Sequence, residues 1–123
     1  MSLTLDDNHA TYQIKGFRPG EIQVNDNTYT RSLIISPTQL ITDWQPQSIE
    51  ELTPEHLQEI ISLSPAILLI GTGTELSFPA VDLYGELLNH GIGVEIMDTS
   101  AACRTYNALT SEDRNVVAAL IIK

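Results

Sequence analysis

The stretch T-S-A-A-C-R-T-Y-N-A-L-T-S-E-D-R-N-V-V-A-A-L-I-I-K, from Thr99 to Lys123, dictates the architecture of the chain. Ala102, Tyr106 and Leu109 recur at helical spacing and predict an inward face, with Thr105 at its edge. Ser100, Arg104 and Asn107 gather on the opposite side and make it a polar cluster. Thr110-Ser111-Glu112-Asp113-Arg114-Asn115 leaves only a short charged connection before Val116. No polar residue occurs from Val116 to Ile122, so this run predicts a strand too apolar for an exposed edge.

Upstream, Gly93 to Met97 predicts a strand with Val94 and Ile96 on one face, and Asp98-Thr99 opens the last helix. Ala66-Ile67-Leu68-Leu69-Ile70 is an apolar run between Pro65 and Gly71, the pattern of a parallel strand buried on both faces. Between these strands lies a helix with Pro79 near its start. Ala80, Val81, Tyr84, Leu87, Leu88 and Gly91 fall on its expected core-facing stripe, while Asp82, Glu86 and Asn89 point outward. Gly91 ends it in the left-handed conformation. Strand, helix, strand in this order predicts a right-handed parallel crossover. An earlier helix starts at Thr53-Pro54-Glu55, with threonine as N-cap, proline at the first helical position and an acid in the first turn. Leu52 and Leu57 have the spacing of a hydrophobic staple.

The first third reads as a meander. Tyr12 to Phe17 alternates apolar and polar residues, Arg18-Pro19-Gly20-Glu21 supplies a turn, and Ile22 to Val24 a short strand. After Asn25-Asp26-Asn27, the run Thr28 to Ile35 predicts one longer strand. Gln39 to Asp43 adds a short extended piece, and Trp44 is expected to pack. Met1 to Ala10 is polar and reads as a loose lead-in. The predicted fold is α/β: three layers around a mixed central sheet containing parallel strands, with an N-terminal β-hairpin or meander. Residues 1–123 are expected to form a single domain.

Sixteen acidic against six basic side chains give a formal charge of −10, which repels nucleic-acid phosphates and anionic lipid headgroups. Nucleic-acid binding is therefore not expected. No basic segment precedes an apolar one at the N-terminus and no run reaches the length of a membrane span, so a soluble cytoplasmic protein without membrane insertion is expected. Cys103 is the single cysteine, which leaves no intrachain disulfide; its helical neighbours point to a packed thiol. His9, His56 and His90 lack the spacing of metal ligands, and neither a metal nor a cofactor is assigned.

In open α/β sheets ligands bind beyond the carboxyl ends of the parallel strands. Here those ends are Gly71-Thr72-Gly73-Thr74 and Asp98-Thr99-Ser100. The two glycines resemble the start of a phosphate-binding turn, yet no third glycine and no Gly-Lys-Ser/Thr follows, and Glu75 and Asp98 stand close by. A structural turn is the other reading. Glu112 with Arg114 or Arg104 has the chemistry of an acid/base and anion-holding pair, and equally that of a fixed ion pair.

The segments A-I-L-L-I-G-T-G, G-I-G-V-E-I-M-D-T and A-A-C-R-T-Y-N-A-L-T-S-E-D-R-N-V-V-A-A-L resemble the Mth938-like family of small α/β proteins from bacteria, archaea and mitochondria, which includes a mitochondrial assembly factor for respiratory complex I. Thr99, Ala102, Arg104, Thr105, Asn107, Glu112 and Arg114 match its signature. The resemblance implies a three-layer α/β fold with an attached hairpin or meander and no established catalytic residue. Two classes of function follow. The first is a non-enzymatic protein-binding or assembly module whose partner surface includes Ser100, Arg104 and Asn107. The second is an enzyme or binding protein for a small anionic ligand, built on Gly71 to Thr74, Thr99 and Arg104. A purely structural signature, with Thr99 capping, Arg104 and Glu112 paired and Asn107 bonding backbone, stands beside both.

Overall fold

The computed structural model describes residues 8–122. In chain order the elements are β1 (Ile14–Arg18), β2 (Glu21–Val24), β3 (Asn27–Tyr29), β4 (Leu33–Ile35), β5 (Leu40–Ile41), α1 (Pro54–Ser62), β6 (Ile67–Gly71), α2 (Val81–Asn89), β7 (Gly93–Met97), α3 (Thr99–Ser111) and β8 (Val116–Leu120). They form a three-stranded antiparallel sheet, β1-β2-β3, and a five-stranded mixed sheet in the order β5-β4-β8-β6-β7. β8 runs parallel to β6, which runs parallel to β7, whereas β4 pairs antiparallel to β8. The parallel strands are the apolar runs: Leu68, Leu69, Ile70 and all of β8 are buried, as two covered faces require.

The large sheet is the middle layer. Leu68, Ile70, Val117 and Ala119 face α1 and α2 through Leu57, Ile60 and Leu87, with Trp44 in the same cluster. Leu69, Val116, Ala118 and Leu120 face α3 through Ala102, Cys103 and Tyr106, and the small sheet joins that side through Ile14, Ile22 and Val24. α2 and α3 thus carry their crossovers over opposite faces. α1 begins as expected at Thr53 and Pro54, and Leu52 and Leu57 are both buried at the staple positions. Glu55 is the acid of its first turn as expected, and His56 closes a capping box, its Nδ1 accepting from the Thr53 N–H at 3.0 Å. Gly91 has φ +78° and closes α2.

Four expectations are corrected. The run Thr28 to Ile35 is two strands: Tyr29 pairs with Ile22 in the small sheet, and Leu33 pairs with Leu120 in the large one. The chain changes sheets at Thr30–Ser32, a change of partner that leaves the local alternation untouched. The last helix includes Thr110, which is buried in its final turn, and the last strand ends at Leu120. On α2 only Leu87 is buried, with Leu83 and Tyr84 half-buried beside it, while Ala80, Val81 and Leu88 are exposed. The lead-in proposed for Met1–Ala10 falls partly outside the described residues; Asn8 within it donates to Thr110 Oγ1 at 2.9 Å.

Candidate functional site

The carboxyl ends of the parallel strands are locked together by Thr99. Its buried hydroxyl donates to the Ile121 carbonyl and accepts from the Gly73 N–H, both at 2.7 Å. The Thr72 N–H donates to Met97 O, the Thr99 N–H to Gly73 O and the Ile121 N–H to Gly71 O. Gly71 is required by close approach: a Cβ there would lie 2.9 Å from Leu120 Cδ2 and 3.0 Å from Thr99 Oγ1. Thr72 Oγ1 donates to Glu75 O and accepts from the Ser77 N–H, which folds the following turn onto itself. The amides of Thr72 and Gly73 are therefore engaged within the chain. Beside them Thr74, Glu75, Glu50 and Ile121 line a cavity of about 350 Å³, whose two carboxylates disfavour an anion. Asp98, not Thr99, caps α3, its Oδ1 accepting from the Ala101 N–H at 2.9 Å.

The polar side of α3 divides in two. Asn107 clamps β1: its Nδ2 donates to Ile14 O at 2.7 Å and its Oδ1 accepts from the Ile14 N–H at 3.2 Å. Tyr106 adds a bond from its hydroxyl to Tyr12 O at 2.7 Å. Ser100 and Arg104 remain at the surface, with the guanidinium donating to Ser100 Oγ at 2.7 Å. Together with Ile14, Lys15, Gly16, Phe17, Cys103 and Asn107 they line a groove of about 280 Å³ between α3 and β1. Lys15 reaches it from an irregularity in the β1/β2 register between Ile14 and Gly16, the kind of bulge that re-aims a side chain. Thr72 to Thr74 and Ser100/Arg104 line different cavities, and Gly71 lines neither.

Cys103 is buried, and loss of solvation pushes its pKa up to about 12, against a lowering influence from Arg104 and a raising one from Asp98. A thiol so held is not a nucleophile at neutral pH. Burial also raises the Tyr106 hydroxyl above its ordinary value. The proposed pairing of Glu112 with Arg104 or Arg114 is not present. Among the described residues the ion pairs are Arg18–Glu21 at 3.8 Å and Arg31–Asp43 at 3.4 Å. Glu112 lies just past the last residue of α3, and Arg114 lines a smaller cavity with His9, Pro37 and Asp113. Each is exposed at the far end of the helix from Ser100.

A feature missed in the sequence lies on the opposite layer. Leu76, Phe78, Val81 and Leu88 are 54%, 67%, 65% and 49% exposed; all four fall within residues 76–88, and exposed large apolar side chains that adjoin one another mark interaction surfaces. On α2, at about 100° per residue, Val81, Gly85 and Leu88 fall on one outward face. A Cβ at Gly85 would meet nothing within 4 Å. The charge map would have drawn attention to this layer: no lysine or arginine occurs between Arg31 and Arg104, while every acid from Asp43 to Asp98 falls in that interval. Among the described residues no group of three His, Cys, Asp or Glu side chains is placed to hold a metal, and no helix is long and apolar enough to cross a membrane.

A five-stranded mixed sheet between two helical layers, with a three-stranded meander clamped to the last helix, is the architecture of a Mth938-like domain. The solution structure of a Bordetella pertussis protein described by that name shares 30% identity with this chain at a TM-score of 0.82, covering 98% of this chain and 91% of its own. Residues 14–121 match the family described as protein of unknown function (DUF498/DUF598), and the chain belongs to that family. A Francisella tularensis protein named 13 kDa major membrane protein is 32% identical over 98% of this chain and 99% of its own length. The zebrafish NADH dehydrogenase (ubiquinone) 1 alpha subcomplex assembly factor 3 is 34% identical over 88% of this chain, which spans 63% of that protein.

Proposed function

We propose that this chain is a non-enzymatic protein-binding module of the assembly-factor kind, docking its partner through the ridge Leu76–Phe78–Val81–Leu88. The ridge carries the proposal. Four large apolar side chains are 49–67% exposed, and burying that remaining half to two thirds of each in an interface contributes about 1–2 kcal/mol. The zebrafish relative is named as an assembly factor, a name that supports a protein partner. The burial of Cys103 and the engagement of the Gly73 amide by Thr99 and of the Thr72 amide by Met97 O fit a scaffold better than a reaction centre. Affinity capture from native cells with the wild-type chain and with Phe78→Ser/Leu88→Ser tests it. The same partner should be lost with the double variant while the melting temperature holds; retention of the partner overturns the proposal.

A second reading concerns the groove between α3 and β1. Lys15 and Arg104 line it, and among the described residues neither has a carboxylate within ion-pairing distance, unlike Arg18 and Arg31. Lys15 donates to Gln13 Oε1 at 3.2 Å and Arg104 to Ser100 Oγ at 2.7 Å, neutral acceptors that leave both charges uncompensated, which suits a small anionic ligand such as a carboxylate or phosphate ester. A saturating anion at about 100 times its Kd would add about 2.7 kcal/mol to stability. If a panel of carboxylates and phosphate esters leaves the melting temperatures of wild type and Lys15→Ala/Arg104→Ala equally unmoved, the groove binds no such ligand.

A further inference from the structure

We infer that the partner segment seated on this ridge is a basic amphipathic helix, packed along the Val81–Gly85–Leu88 face of α2. The inference rests on the proposal that the ridge is a docking surface and adds the chemistry of its occupant.

The helical shape follows from Gly85. Glycine in a helix interior is unfavourable, so some packing demand ordinarily accompanies it. Among the described residues there is none, because an added Cβ would meet nothing within 4 Å. Val81 and Leu88 stand on either side of it along the same face, one turn before and one turn after. The missing side chain leaves a notch between two apolar posts, a surface into which the ridge of a second helix fits at short interaxial distance. Leu76 and Phe78 are exposed on the segment leading into α2, so further apolar surface precedes the helix in the chain.

The basic character follows from charge. Asp82 and Glu86 are exposed on the outward side of α2, about 100–140° around from Val81, and so run along one edge of the strip. Glu75 precedes it in the chain, and α1, which packs beside α2, exposes Glu55 and Glu59. No lysine or arginine from this part of the sequence offsets them. A helix with an apolar stripe flanked by lysine and arginine is complementary to both features. A second copy of the chain would bring acids against acids, and an anionic lipid surface would meet the same repulsion.

Two fluorescent helix-forming peptides of equal length and identical leucine stripe, one with lysine and arginine on its polar face and one with glutamate, are titrated against the full chain. The cationic peptide should bind about tenfold or more tighter than the acidic one, and should weaken as salt is raised. Phe78→Ser and Gly85→Leu should each weaken it about tenfold without lowering the melting temperature. Equal binding of both peptides overturns the basic class while leaving the docking surface intact. Cationic binding that neither variant weakens shows charge attraction without the ridge and overturns the inference. A dimer that Phe78→Ser dissolves, or binding to zwitterionic vesicles with no peptide binding, assigns the ridge to a second copy or to a membrane and likewise overturns it.

Discussion

Thr99 shows how one side chain can replace a ligand. Its hydroxyl occupies the point where a doubly wound sheet usually opens, bonding Gly73 and Ile121 across the ends of β6 and β8. Thr99→Val keeps the shape and strands two buried polar groups, so it should cost about 2–4 kcal/mol, against about 1 kcal/mol for Thr99→Ser, which loses only a methyl. Urea denaturation of both variants measures the difference, and equal losses would mean that the hydroxyl is not the bond. Cys103 makes a claim about pH. Its pKa is raised from 9.0 to about 12 in the folded chain. The unfolded thiol therefore loses its proton first, and the folded state keeps more protons in the interval between. Stability should thus fall from about pH 9 towards pH 12 more steeply in the wild type than in Cys103→Ala. Parallel pH profiles of the two would contradict the buried thiol.

At the scale of elements, α3 is a clamp. Asn107 takes both backbone groups of Ile14, Tyr106 holds Tyr12 and Thr110 holds Asn8, so one face of one helix secures the strand that begins the meander. Asn107→Ala should release β1 without melting the large sheet. Faster hydrogen exchange at Ile14, with β6 and β8 amides unchanged, is the expected result; equal acceleration in both sheets would show that they unfold together. α2 is the opposite case, a helix with two apolar sides. Leu83, Tyr84 and Leu87 face the sheet, and Val81 and Leu88 face solvent. Hydrophobic periodicity reports that a side chain prefers burial and not which surface buries it, so Val81 and Leu88 read as core in the sequence.

Across the whole molecule, what could be read from the sequence is what local pattern determines. The run Ala66–Ile70 announced a doubly covered strand, Thr53-Pro54 a helix start and Gly91 a helix end, because each depends on neighbours in the chain. The passage of Thr30–Ser32 between sheets was illegible, since pairing with Ile22 and with Leu120 demands the same alternation. Within the candidate site, the polar side of α3 was recognisable as a cluster. That Asn107 would bond Ile14, a partner 93 residues away, and that Glu112 and Arg104 would stay apart are facts of tertiary placement. The resulting molecule is polarised: an acidic layer of α1 and α2 bearing the apolar ridge, and on the other side a groove holding Lys15 and Arg104. That polarity lets the central claim be tested by position. A photoreactive residue placed at 81 on the ridge, or at 104 in the groove, is irradiated in native cells. Docking through the ridge predicts a discrete protein adduct from position 81; adducts from position 104 alone, or from neither, would contradict it.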